Sequence, residues 1–282
     1  MKYDDRYAEV AGVRTRFWQA GHDGQAVVLI HGIACSVEDW EANIGALAQS
    51  HRVFALDLVG CGLSDKPGGQ DYSLRALARF VLDFMSAIGI DAAHLMGFSM
   101  GGRLALECAH MAPERVRSLV LLAPAAIGPD TIINFRLASV EGLGELLTRP
   151  TRFGMRMLMR AAFSDPSKIS ADMLEDRLRR AKLPGAQAAF LIMLRGMVRL
   201  GGFHPTIISE VQSWLPSIRK PVLVIWGLQD RFVSSRHAEI LRERLPDCTV
   251  KLYENCGHLP GIEQAGRLNA DATAFLAGLE GR

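Results

Sequence analysis

No stretch of this 282-residue chain approaches the roughly 18 consecutive apolar residues that a membrane-crossing helix needs, so none is expected. Met1 to Arg6 lacks the apolar core of a leader, and the cytoplasm is the expected compartment. Basic residues exceed acidic ones by only two, 32 against 30, and nowhere form a block. That balance predicts no nucleic-acid partner and no membrane partner, and leaves a small-molecule substrate as the default. Five cysteines, Cys35, Cys61, Cys108, Cys248 and Cys256, are odd in number and lack metal or redox spacing, so free thiols are expected and no metal site. Internal repeats and low-complexity linkers are also missing.

What is present suits a large core: 49% of the residues are hydrophobic and 22% charged, which favours one domain with an insertion over two equal ones. Apolar runs at Val27 to Ile30, His94 to Met96, Ser118 to Ala123, Pro221 to Gly227 and Thr249 to Tyr253 alternate with amphipathic stretches. This pattern predicts a doubly wound, mostly parallel sheet with helices on both faces and a ligand site at the carboxyl ends of its strands. From 127 to 216 no strand pattern appears. The segment reads as helical, broken at Pro150, Pro166, Pro184-Gly185 and Gly201-Gly202, and is expected to form a cap on a core made of 1–126 and 217–282.

The most informative residues are Gly97-Phe98-Ser99-Met100-Gly101, which follow a short apolar run and lead into a helix-like stretch. A sharp strand-to-helix turn of this kind projects its central serine, and only glycines at the flanking positions let strand and helix approach. A serine hydroxyl is a weak nucleophile until a base takes its proton, and the base needs an acid to fix its tautomer. Asp230 lies just beyond the Pro221 to Gly227 strand and His258 just beyond the next, in the order Ser, Asp, His. Asp130, after the Ser118 to Ala123 strand, is the weaker alternative acid. Of the other histidines, His31 reads as a structural hydrogen-bonder, and His22, His51, His94, His110, His204 and His237 carry no motif.

Over nearly its whole length the sequence resembles the α/β-hydrolase family. Tyr7 to Gly21 resembles the family's opening hairpin, and Val27 to Ile30 the strand ending in His31-Gly32. The resemblance implies an eight-stranded sheet and an oxyanion hole built from the amides of Ile33 and Met100, and it implies no cofactor. Asp57 to Asp65 resembles the loop after the family's fourth strand, where Asp57 and Asp65 read as turn formers.

Substrate preference is expected to reside in the cap. Met155, Leu158, Met159 and Ala162 fall on one helical face, Arg152, Arg156 and Arg160 on another. Met155, Met157, Met159, Met173, Met193 and Met197 form a methionine-rich set, read either as pocket lining or as core packing, and the arginines are read either as a solvated face or as holding an anionic substrate. Ser170, ahead of Asp172, reads as a helix N-cap. Phe98, Arg103, Met155, Met159 and Leu259 are the candidate substrate contacts.

Among branches of the family, dehalogenases and epoxide hydrolases attack with an aspartate where Ser99 stands here. Perhydrolases share a similar elbow but commonly carry Trp at the position of Ile33. The carbon–carbon bond hydrolases of aromatic-ring degradation resemble this chain at Ser99 to Gly102, at Trp226 to Phe232 and in the cap, yet differ at Phe98, Leu259 and Ile33-Ala34-Cys35. The menaquinone-pathway synthase resembles Gly97 to Arg103. The expected activity is hydrolysis of a small, largely apolar carboxylic ester by a monomer or homodimer. The alternatives are cleavage of a meta-cleavage dienone and, in another class, a ligand-sensing receptor.

Overall fold

The computed structural model describes residues 3–280; Met1 and Lys2, the start of the segment read for a leader, lie outside them. Ten strands are present among the described residues: β1 Arg6–Val10, β2 Val13–Ala20, β3 Ala26–Ile30, β4 Arg52–Leu56, β5 Ala93–Phe98, β6 Val116–Leu122, β7 Val198–Arg199, β8 Gly202–Phe203, β9 Val222–Gly227 and β10 Cys248–Tyr253. Twelve helices accompany them: α1 Glu41–Leu47, α2 Leu74–Ala87, α3 Met100–Met111, α4 Ile133–Ala138, α5 Leu143–Leu147, α6 Arg152–Ala162, α7 Ala171–Ala181, α8 Ala186–Met197, α9 Pro205–Trp214, α10 His237–Arg244, α11 Pro260–Glu263 and α12 Ala265–Glu280. No helix among the described residues is long and apolar enough to cross a membrane.

Eight strands form one sheet in the order β1-β2-β4-β3-β5-β6-β9-β10. The β1–β2 and β2–β4 pairs are antiparallel and every other pair is parallel. The first hairpin turns through Ala11 and Gly12, both at positive φ, the backbone a tight two-residue turn requires. All residues of β3, β5 and β9 are buried, as strands covered by helices on both faces must be. The helix α2 shows how the cover is made: Ser73 caps its start by accepting from the Ala76 amide, and one face buries Leu77, Phe80, Val81, Phe84 and Met85.

The segment between β6 and β9 carries α4 to α9 and, against expectation, a two-stranded hairpin, β7 with β8. Two residues per strand are too few to show a period of two in the sequence, and Gly201-Gly202 read as a break rather than as part of a hairpin that turns at Leu200-Gly201. Helix α7 is capped by Ser170, which accepts from the Met173 amide at 3.0 Å. Its arginines do more than suit the helix dipole. Arg177 pairs with Asp39, and Arg180 reaches Glu38 at 3.2 Å, so α7 is anchored to the chain following β3. Arg16, wholly buried, joins Glu38 and Asp57 to this network.

Candidate active site

The turn between β5 and α3 holds Ser99 at φ 54° and ψ −117°, a conformation that costs a non-glycine residue on the order of 1–3 kcal/mol and persists only when its surroundings over-determine it. Three hydrogen bonds do so. The Ser99 amide donates to the Leu122 carbonyl at 2.8 Å, and the Ser99 carbonyl accepts from the amides of Arg103 and Ala125. A Cβ at Gly97 would lie 2.2 Å from the Gly101 carbonyl oxygen, and one at Gly101 would lie 2.1 Å from that of Ile30. The two glycines are therefore imposed by backbone contact, and the turn cannot be built without them.

Strand β9 ends at Gly227, and Asp230 sits in the turn beyond it. Its Oδ1 accepts from the amides of Phe232 and Val233 at 2.8 and 3.0 Å, and its Oδ2 accepts from the Trp226 indole at 3.1 Å. His258 follows β10. Its Nδ1 lies 2.7 Å from Asp230 Oδ2 and its Nε2 3.1 Å from Ser99 Oγ, so three residues far apart in sequence form one hydrogen-bonded line. Two rings pack against the imidazole: Phe232 stacks on it at 5.0 Å between centroids and Phe98 tilts against it at 4.9 Å. Its backbone is fixed as well, because the His258 amide donates to the Ala162 carbonyl at 2.7 Å.

The chain after β3 supplies the opposite wall. His31 is fully buried; its Nε2 accepts from the Leu58 amide, so its Nδ1 carries the proton and donates to the Gly32 carbonyl at 2.7 Å. Burial pushes the His31 pKa down, in keeping with a neutral ring that shapes the loop. Asp57 accepts from the amides of Val37 and Leu63 and pairs with Arg16, which places it in the turn rather than at the chemistry. Asp130 pairs with His237 at 3.3 Å and not with His258.

A small cavity lies in front of Ser99 and His258. Ile33 and Met100 line it, and neither amide donates to an acceptor among the described residues. Two free amides beside a serine hydroxyl can receive a developing oxyanion. The remaining wall is apolar, with Phe135, Leu194, Met197, Phe203 and Phe232 prominent; Thr131 is its one further polar side chain.

Several expected substrate contacts lie elsewhere. Arg103 is fully buried under Trp214 and bonded to Glu107 at 2.5 Å, one helical turn along α3, so its guanidinium is occupied away from the cavity. Met159 and Met155 also stand outside the lining: Met159 is buried in the main core and Met155 packs against it, since the inward face of α6 meets the core and not the cavity. Phe98 and Leu259 line a neighbouring hollow with Asp39, Trp40 and Ile262. Trp226 and Phe232 bound a stretch that resembles the carbon–carbon bond hydrolases, but the sequence assigns neither of them the contact it makes here, and nothing local signals Glu263.

With this geometry in place, comparison with known proteins is decisive for the family. The family model for the alpha/beta hydrolase fold matches residues 25–154 and 191–265. The chain belongs to the alpha/beta hydrolase fold family. It is 33% identical, over 97% of its own length and 69% of the relative's, to the dihydrolipoyllysine-residue acetyltransferase component of the acetoin cleaving system of Cupriavidus necator. It is 30% identical, over 90% and 88% of the two chains, to the 2-hydroxy-6-oxo-6-phenylhexa-2,4-dienoate hydrolase of Burkholderia cepacia. Among solved structures, the meta-cleavage product hydrolase of Pseudomonas fluorescens superposes with a TM-score of 0.83 at 27% identity, covering 98% of each chain. As an alpha/beta hydrolase, the chain therefore keeps its Ser, Asp and His at the strand ends where this fold brings ligands.

Proposed function

We propose that this alpha/beta hydrolase cleaves a small, largely apolar carboxylic ester through an acyl-enzyme. One observation carries the reading: a serine hydroxyl 3.1 Å from an imidazole, at the wall of a small cavity whose other lining is almost wholly apolar. Ser99 Oγ attacks the ester carbonyl while His258 Nε2 takes its proton. Asp230 fixes the tautomer that leaves Nε2 able to accept, and steadies the imidazolium that forms. The amides of Ile33 and Met100 hold the oxyanion, each such donor being worth roughly 3 kcal/mol to the transition state. His258 returns the proton to the leaving alcohol and then activates water to release the acid. The cap segment 127–216 supplies Thr131, Phe135, Leu194, Met197 and Phe203 to the cavity and so selects the acyl chain.

The names of the relatives support a second reading, carbon–carbon cleavage of a dienoate. Such a substrate carries a carboxylate, and no lysine or arginine lines the cavity. The buried guanidiniums of Arg103 and Arg177 are already paired, with Glu107 and Asp39. The ester reading therefore ranks first.

A panel of p-nitrophenyl esters of increasing chain length, assayed beside ring-fission dienones, tests the order. Turnover of short apolar esters that vanishes in Ser99→Ala supports the proposal. Preference for dienones replaces it by the second reading, and negligible turnover of everything, with ligand-dependent melting shifts, points to a receptor.

A further inference from the structure

We propose that the outward face of α6 docks on an anionic lipid membrane. Along α6 the buried positions are Met159 and Ala162, and Phe153, Arg156, Met157 and Arg160 fall together on the opposite side, within an arc of roughly 100° at about 100° per residue. Phe153 is 77% exposed and Met157 is 49% exposed, which is unusual for side chains of this size on a helix already packed on one side.

The charges beside them are of one sign. No acidic residue lies on α6; Arg152 meets only the exposed Glu175, and Arg156 and Arg160 form no ion pair among the described residues. The wider segment follows suit. Residues 127–216 hold twelve Arg and Lys against eight Asp and Glu, while the rest of the chain holds 20 against 22. Ten of the thirteen exposed large apolar side chains among the described residues lie in the same segment. The near-neutral whole-chain charge, which predicted no membrane partner, averages over this asymmetry.

Arginines interleaved with an aromatic and a thioether match a surface that is anionic at the headgroups and apolar just below them. A second copy fits less well. Two-fold pairing through this face would set one copy's arginines against the other's, a like-charge contact that nothing on α6 relieves. The docked helix also ends at Ala162, whose carbonyl accepts from the His258 amide, so membrane surface and candidate active site share one structural element. An apolar substrate dissolved in the bilayer would thus be presented close to the cavity.

The test is co-sedimentation of the full chain with vesicles of phosphatidylcholine alone and of phosphatidylcholine mixed with phosphatidylglycerol. No substrate is present, so the result does not depend on the hydrolase reading, and Ser99→Ala is expected to bind like the unaltered chain. Partitioning at least about tenfold stronger onto the anionic vesicles is expected, weakened by added salt. Phe153→Ser and the pair Arg156→Glu with Arg160→Glu should each lower it by about tenfold or more, with melting temperature unchanged because these side chains are exposed. Absence of binding to anionic vesicles overturns the proposal, as does binding that neither variant alters. A dimer in sedimentation velocity that Phe153→Ser dissociates would overturn it too, by assigning the face to self-association.

Discussion

The amide of His258 donates to the carbonyl of Ala162, the last residue of α6, at 2.7 Å. A backbone contact thus ties the candidate base to the inserted helices. Glu263 completes the tie: one carboxylate oxygen accepts from the Gly257 amide at 2.8 Å and the other from the Ser164 amide at 2.7 Å. The histidine loop and the end of α6 are held as one unit by a side chain that is 5% exposed.

Glu263→Ala is expected to lower stability by about 3 kcal/mol, because two buried amides lose their acceptor and each unpaired one costs roughly 1–3 kcal/mol. Ester turnover should fall with it, since the imidazole would no longer be held at hydrogen-bond distance from Ser99. Glu263→Gln keeps one carbonyl acceptor but turns an amide donor toward the other N–H, so an intermediate loss is expected. Urea denaturation and kcat on a p-nitrophenyl ester check both. Stability unchanged in the alanine variant would show that the clamp is idle.

Thr131 contributes a hydroxyl that is buried and unpartnered in the cavity wall. An unsatisfied hydroxyl disfavours both the folded state and an apolar ligand beside it, by roughly 1–3 kcal/mol. Thr131→Val should therefore raise stability by about 1 kcal/mol and raise kcat/KM for hydrocarbon acyl chains several-fold. A loss of stability would mean that the hydroxyl has a partner the account does not include.

His94 bridges β5 to its surroundings, with Nδ1 2.7 Å from Ser118 Oγ and Nε2 2.8 Å from Gln25 Oε1. Burial pushes its pKa from 6.5 down to about 4. Above pH 6.5 the ring is neutral whether folded or unfolded, and stability is full. As pH falls below that value the unfolded chain takes up a proton that the folded chain refuses until about pH 4, so stability drops across this window by about 3 kcal/mol. His31 and His237, also shifted down by burial, act in the same direction. His94→Asn should flatten the decline in urea midpoints between pH 7 and pH 4.5, values chosen about either end of the window. An unchanged slope would place the acid sensitivity elsewhere.

Legibility in the sequence followed the strictness of the local demand. Gly97 and Gly101 stand where any Cβ would strike a backbone oxygen, so the serine turn left a fixed spelling, and the strand leading into it is buried throughout. Asp230 and His258 were readable because each follows a buried or half-buried strand by a few residues. Side-chain direction on α3 and α6 was not readable from periodicity alone. Arg103 reads equally as a ligand contact or as a helix-surface arginine, and Glu107, four residues on, is the visible signal of the internal pair it makes instead. Met155 and Met159 lay on the expected apolar face, but which partner that face meets is a tertiary fact. Thr131, Phe135 and Phe203 reach the cavity from three separate segments, and no spacing in one dimension announces such a meeting. The charge asymmetry of 127–216 was present in the sequence and hidden by counting the chain as a whole.

The central claim is that Ser99 is a nucleophile activated by His258, and labelling with a fluorophosphonate followed by peptide mass analysis tests it most directly. The account predicts one equivalent of covalent label, on the peptide containing Ser99, lost in Ser99→Ala and slowed by about 1,000-fold or more in His258→Ala. Label on another residue, or labelling of Ser99 at an undiminished rate without the imidazole, would contradict it.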